Sequence, residues 1–241
     1  MIKEGYFFKD KEFDFGDCDF QKRVRLSTLM SSFTDVAGNA YTEKGFAHDY
    51  LWENGQVFLV SRMSIHIYKM PEAYQKVKIE TWENKIKGVQ FFREFRVHSG
   101  NEILLEASTS WVLVNPITRQ ILKPDSCIGH FNLNPDDVAK VIPQGKIKFP
   151  QQLNSVGKRT VRYSDLDFNG HLYNAFYSNI AMDYLPIDFV KKDLSDFRVN
   201  FKNEVKYGEE LEILTAIEDN VAYVIGMVGD KTSFECEFTV K

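Results

Sequence analysis

One order of secondary-structure elements occurs twice along the chain of 241 residues, and this repetition constrains the fold more than any other feature. Each copy begins with a lead-in strand, continues with one amphipathic helix and ends with four strand-like segments. The first predicted helix covers about 26–41, where apolar residues recur at steps of three and four. The second covers about 172–185 and stops at Pro186. A whole order of elements that recurs in this way indicates two related modules.

The strand-like segments alternate apolar and polar residues, as strands with one buried face do. They cover about 57–68, 74–83, 89–98 and 103–114 in the first half, and 197–205, 210–217, 222–228 and 233–240 in the second. A short sequence echo also favours duplication, because residues 61–65 resemble residues 197–201, which lie 136 positions later.

One helix for each group of sequentially adjacent strands favours an α+β fold over parallel βαβ units. We therefore expect two fused hotdog modules, each a curved antiparallel sheet wrapped around one long helix. Five of the seven prolines cluster between the two halves, which is typical of a connecting segment that runs over the surface. The predicted boundaries are 1–125 for the N-terminal module, 126–150 for the connecting segment and 151–241 for the C-terminal module.

Composition excludes several classes of protein. The net charge is −4, from 30 basic and 34 acidic residues without a basic tail, which argues against a nucleic-acid partner. The most apolar segment, 221–229, is too short to insert across a bilayer, and the first ten residues lack the features of a signal peptide. Cys18, Cys127 and Cys236 are odd in number and widely spaced, as expected for reduced thiols. We predict a cytoplasmic protein.

The main candidate for chemistry is the run 163–171, directly before the second predicted helix. Asp167, Asn169 and His171 alternate in it, so an extended segment would point all three side chains the same way. A carboxylate, an amide and an imidazole near a helix N-terminus can polarise a carbonyl and move a proton near neutral pH. Asp, Asn and Gly are also common in loops and helix caps, so the pattern alone leaves both interpretations open.

Glu204 is a second candidate, on the first predicted strand after that helix. Strict alternation places it on the face opposite Phe201 and Val205. A buried Glu needs a partner, which His171 could supply, whereas a solvent-facing Glu beside Lys202 fits the same spacing. The other histidines are scattered, and no His/Cys cluster has metal-ligand spacing, so we expect no metal and no cofactor.

The run 164–174 resembles the D-L-D-x-N-x-H-x-x-N signature of the acyl-(acyl carrier protein) thioesterases. In the first half, Val60-Ser61-Arg62-Met63 resembles the V-T-R-M of that family. Further matches lie at 80–82, 92–95, 110–115 and 118–119. The resemblance implies two fused hotdog modules and hydrolysis of fatty acyl-(acyl carrier protein), which releases a free fatty acid and ends chain elongation. It also implies a partner, an acyl carrier protein whose acyl chain is linked through phosphopantetheine.

The resemblance also implies roles for single residues. Asp167, Asn169 and His171 fall on active-site positions of the family, and Glu204 falls on its catalytic Glu. Many plant members have Cys at the next position, whereas this chain has Val205, so a thiol nucleophile is excluded there. Either Glu204 and His171 activate a water, or Glu204 attacks the thioester carbonyl itself. Asn169 would polarise the carbonyl oxygen, and Asp167 would orient its neighbours.

In the family, the first half shapes the pocket for the acyl chain. Four residues are accordingly predicted to bind the substrate chain, although core packing fits each of them equally well: Leu29, Phe33, Val36 and Trp82. Four basic residues are predicted to meet the acidic carrier protein: Arg93, Arg119, Lys158 and Arg159.

Two other functions fit the same sequence features. An acyl-coenzyme A thioesterase would have the same fold and site, because coenzyme A presents the same phosphopantetheine thioester. A non-catalytic lipid-binding protein would be expected to have lost at least one of the four candidate residues, and all four are present. Two fused modules already form the usual hotdog pair, so a monomer and a homodimer are both compatible with the sequence.

Overall fold

The computed structural model describes residues 5–241, so the first four residues of the predicted N-terminal module and of the N-terminal stretch lie outside the described part. The first half contains β1 (Tyr6–Glu12), α1 (Leu26–Glu43), α2 (His48–Glu53), β2 (Val57–Ile67), β3 (Lys76–Lys87), β4 (Gln90–Ser99) and β5 (Glu102–Val114). The second half contains β6 (Asn154–Thr160), α3 (Phe176–Asp183), α4 (Ile187–Val190), β7 (Leu194–Phe201), β8 (Glu210–Glu218), β9 (Val221–Val228) and β10 (Lys231–Val240).

Across residues 5–241, all ten strands form one sheet in the order β1-β3-β4-β5-β2-β7-β10-β9-β8-β6. Every pair of neighbours is antiparallel. β2 and β7 join the halves, with Ser64 opposite Arg198 at the centre of their register. Each half therefore has five strands and one principal helix, α1 or α3, and the predicted α+β class is confirmed.

The sheet wraps around both helices because α1 and α3 each present an apolar face to it. Leu29, Phe33 and Val36 of α1 are fully or almost fully buried, as are Ile180 and Ala181 of α3. The two helices share one continuous hydrophobic core. No helix within residues 5–241 is long and apolar enough to cross a membrane.

Two predicted elements around the site are wrong at their ends. The second helix begins at Phe176 rather than near residue 172, because residues 166–173 make turn and bridge contacts instead. β7 ends at Phe201 and not at residue 205, because the amides of Lys202 and Asn203 both turn to the carbonyl of Ser233. Glu204 therefore lies beyond the strand on which it was predicted.

The backbone shows the true register of the duplication. At the end of β2, the amides of Tyr68 and Lys69 both donate to Leu104 O, as those of Lys202 and Asn203 do to Ser233 O. Lys202 is thus equivalent to Tyr68, 134 positions earlier. The sequence echo at 136 positions is wrong as a guide to the repeat, since it is out of step with these hydrogen bonds.

The connecting segment crosses the outer face of the first-half sheet, opposite α1. Trp82 Nε1 donates to Asp137 O at 2.7 Å, and Asn84 Nδ2 donates to Asn134 O at 2.9 Å. Further along, Asn200 Nδ2 donates to Gly145 O at 3.0 Å. Because buried polar side chains of the sheet take backbone carbonyls of the segment as partners, the segment is fixed to the face that it covers.

Candidate active site

The run that contains Asp167, Asn169 and His171 forms a tight turn. Asp167 Oδ1 accepts hydrogen bonds from the amides of Asn169, at 2.9 Å, and His171, at 3.2 Å. The amide of Gly170 donates to Asp167 O at 3.0 Å, and Gly170 has a φ of 79°, which glycine adopts without strain. The predicted extended geometry is therefore wrong, because the carboxylate of Asp167 closes the segment on itself.

Glu204 reaches this turn through backbone contacts on both sides of it. The amide of Leu172 donates to Val205 O at 2.8 Å, and His171 forms an isolated antiparallel bridge with Lys206. These contacts align the two segments, and His171 Nε2 lies 3.3 Å from Glu204 Oε2. Both side chains are partly exposed, so a substrate can reach them.

Arg119 contacts the same carboxylate from the first half of the chain. Its guanidinium forms an ion pair and a hydrogen bond with Glu204 Oε2. Arg119 follows β5 in a turn in which Asn115 Oδ1 accepts from the amides of Ile117 and Thr118, and its φ of 61° is unusual for a residue with a side chain. The sequence missed this contact, because it joins residues from different halves.

The other basic residues predicted to meet the carrier protein also have partners within the chain. Arg93 is buried, and its guanidinium lies 3.0 Å from the carboxylate of Glu83. The prediction that Arg93 contacts a partner at the surface is therefore wrong. Lys158 pairs with Glu210 at 2.7 Å, and Arg159 pairs with Asp165 at 2.5 Å. Spacing along the chain could not show that these acidic side chains lie nearby.

Asp167, Asn169, His171 and Glu204 all line a groove of about 1480 Å³. We call this the active-site groove. From the turn it extends along the C-terminal half of α1, α2 and the first residues of β2, all of which belong to the first half.

Four aromatic rings in the wall of the groove pack against one another: Tyr41, Phe58, Phe91 and Phe131. The ring centroids of Tyr41 and Phe58 lie 5.4 Å apart, and Phe91 lies 5.1 Å from each of Phe58 and Phe131. Burial raises the pKa of Tyr41 well above its usual value, and the Arg93 guanidinium lies over its ring. These rings make a wide apolar surface that suits an alkyl chain.

The four residues predicted to bind the acyl chain lie elsewhere. Leu29, Phe33 and Val36 pack in the core between α1 and the sheet, outside the lining of the groove. Trp82 stacks on Tyr6 beneath the connecting segment. Helical periodicity identifies the face of α1 that meets the sheet, whereas the groove follows the neighbouring face of the helix.

The groove also contains Tyr177 and Asn174, to which the sequence assigned no role, although Asn174 is the last residue of the motif at 164–174. Tyr177 lies beneath the turn, where burial raises the pKa of its hydroxyl to about 12. Asn174 Oδ1 is buried and has no hydrogen-bond partner among residues 5–241. An unpaired buried acceptor beside a groove is suited to a donor on a ligand.

Two protein-family models match this chain. The model described as the acyl-ACP thioesterase N-terminal domain matches residues 5–126. The model described as the acyl-ACP thioesterase C-terminal domain matches residues 150–241. Together they account for most of the chain.

Curated plant proteins are similar over most of the chain. The acyl-[acyl-carrier-protein] hydrolase FATB2, chloroplastic, of Cuphea viscosissima is 26% identical over 212 residues, which is 82% of this chain and 52% of that protein. The oleoyl-acyl carrier protein thioesterase 2, chloroplastic, of Arabidopsis thaliana is 22% identical, over 98% of this chain and 71% of its own. The chain thus spans about half the length of the first relative.

Solved structures share the fold. An acyl-ACP thioesterase from Bacteroides thetaiotaomicron superposes with a TM-score of 0.89 at 22% identity, over 98% of both chains. The 12:0-ACP thioesterase from Umbellularia californica superposes with a TM-score of 0.79 at 17% identity, over 100% of this chain and 99% of its own. At these identities the likeness establishes the fold, and the prediction of two hotdog modules is confirmed.

Proposed function

The chain belongs to the acyl-ACP thioesterase family, and on that premise we propose that it hydrolyses fatty acyl-ACP to a free fatty acid and the carrier thiol. The observation that supports this best is the pair of His171 Nε2 and Glu204 Oε2, 3.3 Å apart inside a groove with apolar walls. An imidazole beside a carboxylate can accept a proton from water near neutral pH, and the groove offers the acyl chain a place to lie.

In the proposed mechanism, His171 and Glu204 remove a proton from a water molecule as its oxygen attacks the thioester carbonyl. The tetrahedral intermediate then expels the phosphopantetheine thiolate, which takes up that proton, and the fatty acid is left. The side-chain amide of Asn169 would donate to the oxygen on which negative charge develops. Asp167 would hold Asn169 and His171 in place, since its carboxylate already accepts from both of their amides.

The ion pair with Arg119 favours this route over direct attack by Glu204. Oε2 of Glu204 already contacts both Arg119 and His171, and a carboxylate oxygen that is neutralised by a cation is a weaker nucleophile. Arg119 would instead fix the orientation in which Glu204 faces His171. It acts as a positioning residue contributed by the first half to a site in the second.

We also propose that the first half receives the acyl chain, along the rings of Tyr41, Phe58, Phe91 and Phe131. The modules proposed for these two tasks are 1–125 and 151–241, joined by 126–150. A cytoplasmic location is supported by Cys18, Cys127 and Cys236, all of which are free thiols. Whether the chain is a monomer or a homodimer is decided by light scattering at the concentration used for the assay.

The test is release of thiol from acyl-ACP substrates of increasing chain length, run beside the matching coenzyme A thioesters. We expect faster turnover of the carrier-protein substrates, and loss of turnover in His171→Ala. His98→Ala is the matched control, because His98 lies outside the groove and pairs with Glu80. Equal or faster turnover of the coenzyme A esters would assign the other carrier, and no release from either would overturn the hydrolase proposal.

A further inference from the structure

The first half contains a second copy of the active-site turn. Residues 17–24 read Asp-Cys-Asp-Phe-Gln-Lys-Arg-Val, and residues 165–172 read Asp-Leu-Asp-Phe-Asn-Gly-His-Leu, 148 positions later. Each run begins at the last residue of a short 3-10 turn and precedes the principal helix of its half. The two runs therefore occupy the same place in the two modules.

Their backbone hydrogen bonds match one for one. Asp19 Oδ1 accepts from the amides of Gln21, at 2.8 Å, and Arg23, at 3.0 Å, as Asp167 Oδ1 does from Asn169 and His171. The amide of Lys22 donates to Asp19 O, and Lys22 has a φ of 64°, close to that of Gly170. Arg23 is thus the structural counterpart of His171.

The segment that faces the first turn is also a copy of the segment that contains Glu204, but it has no acidic residue at the position of Glu204. The amide of Val24 donates to Pro71 O, as that of Leu172 does to Val205 O, and Arg23 forms a bridge with Glu72 as His171 does with Lys206. Met70 is therefore the counterpart of Glu204. With arginine and methionine in place of histidine and glutamate, this copy lacks the pair of imidazole and carboxylate that is proposed to activate water in the second turn.

Arg23 has a different task from His171. Its guanidinium bonds Asp19 Oδ2 and reaches the carbonyl oxygens of Val190 and Lys192, both at 3.0 Å. These carbonyls lie at the C-terminal end of α4 and just after it. The arginine therefore ties the first turn to the second half.

Beside this turn lies a cavity of about 990 Å³, which we call the second cavity. The second cavity lies beside the first turn as the active-site groove lies beside the second turn. α3, α4 and the start of β7 line the second cavity, and the equivalent elements α1, α2 and β2 line the groove. The walls of the second cavity are largely apolar, with Leu26, Met70, Ile180, Leu185, Phe189 and Leu194 among them.

The side chains that line the second cavity include six cations and five carboxylates, a net charge of +1. Asp19 and Asp193 pair with Arg23, and the pair of carboxylates from Asp165 and Asp183 is held by Arg159. The remaining carboxylate is Glu72, and the remaining cations are Arg25, Lys69, Lys192 and Lys241. Lys69 and Lys192 are exposed, so their ammonium groups can turn to a ligand.

We propose that the second cavity binds a fatty acid, with its alkyl chain against the apolar wall and its carboxylate near Lys69 and Lys192. The volume suits a ligand of that size. The duplicated framework supports an acyl ligand, and the lysines select one that ends in an anion. The choice of a fatty acid rests on the proposed function, since the reaction releases one.

The test is titration of the full chain with dodecanoate labelled with ¹³C at the carboxyl group, followed by NMR and calorimetry. We expect two bound carboxyl signals and two equivalents, one for each cavity. The double variant Lys69→Glu/Lys192→Glu should weaken binding at one site by about tenfold or more, because it replaces attraction by repulsion at the mouth. Leu59→Trp, which narrows the active-site groove, should remove the other signal.

The matched control is Lys87→Glu/Lys146→Glu, which makes the same change of charge on exposed residues outside both cavities and should leave both signals. Circular dichroism establishes that each variant is folded. A bound carboxyl signal that the double variant Lys69→Glu/Lys192→Glu weakens would support the proposal, whether one or two equivalents bind. If every bound signal survives that variant, the proposal is overturned. Failure of the hydrolase proposal is a separate outcome, because it is measured by thiol release and leaves the count of bound carboxylates unaffected.

Discussion

The turns at Asp19 and Asp167 show one backbone put to two uses. Both are closed by an aspartate carboxylate that accepts two amides of its own turn. The first copy positions Arg23, which ties two parts of the chain together, and the second positions His171 beside Glu204. The comparison shows that the aspartate accounts for the shape, whereas the residue four positions later accounts for the chemistry.

The most direct test of this comparison is to replace the residue four positions after the aspartate in each turn. His171→Ala should lower kcat for acyl-ACP by about a thousandfold or more, since it deletes the group that accepts the proton from water. Arg23→Ala should lower the free energy of unfolding by about 2 kcal/mol, since the carbonyls of Val190 and Lys192 lose a charged donor. Thiol-release kinetics and urea denaturation measure the two effects.

Both variants are needed for the result to be informative. If the Arg23→Ala protein loses kcat as deeply as His171→Ala while still folded, the first turn takes part in turnover, and the division between the two copies is wrong. If His171→Ala instead loses stability and keeps kcat, histidine in the second turn is a structural residue like its counterpart.

The outer faces of the two half-sheets differ as well. A variant of Glu94, which lies on the outer face of the first half-sheet, tests this difference. The connecting segment covers Glu94, burial raises its pKa to about 7, and Ser108 donates to its Oε1 at 3.1 Å. The folded protein therefore binds more protons than the unfolded chain between about pH 4.5 and 7, so the free energy of unfolding falls as pH rises through that window. Glu94→Gln should stabilise the protein by about 3 kcal/mol at pH 8 and by little at pH 4.5.

The matched control is Tyr223→Phe, at the equivalent place in the second half, where the strand pairing of Thr215 with Val224 repeats that of Thr81 with Phe95. Tyr223 stays protonated across this range, because the ordinary pKa of a tyrosine hydroxyl is about 10 and burial raises it further. Its variant should show no change in pH dependence. Urea denaturation at several pH values measures both variants, and an unchanged slope in Glu94→Gln would contradict the assignment.

The sequence predicts the order of elements well, because periodicity and turn residues are local properties. It fails where distant hydrogen bonds decide the ends of elements. The carbonyl of Ser233 ends β7 at Phe201, and nothing in residues 202–205 indicates it. The same limit applies to the duplication, since the short match at 136 positions disagrees with the offset of 134 that the hydrogen bonds set at the ends of β2 and β7.

For the candidate site, residue types were predicted better than geometry. Asp167, Asn169, His171 and Glu204 do line one groove, but a turn brings them together and not an extended strand. The contact between Arg119 and Glu204 was not predicted, because the two residues lie 85 positions apart. A contact between two halves of a chain leaves no mark in the spacing of either half.

Arg119 tests how the first half contributes to the site in the second half, because it belongs to the first half and contacts Glu204 in the second. Arg119→Gln should lower kcat by about tenfold, since Glu204 loses the cation that holds it toward His171. Arg119→Lys should restore part of that loss, because it keeps the charge and loses the planar guanidinium. A rise in KM without a change in kcat would point to carrier binding, as the sequence suggested. Steady-state kinetics on one acyl-ACP separates the two.

The smallest expected effect concerns the aromatic rings in the wall of the active-site groove, which distinguish this groove from the second cavity. Phe58 packs between Tyr41 and Phe91 in its wall, and Phe58→Ala removes a ring from the surface proposed for the acyl chain. The extra space should admit about two to four more carbons and raise kcat/KM for the longer chain by about fivefold relative to the shorter one. Phe8→Ala is the control, on β1 and outside both cavities. An unchanged chain-length profile in a folded Phe58→Ala protein would place the end of the acyl chain away from these rings, and the division of labour between the halves would then rest on Arg119 alone.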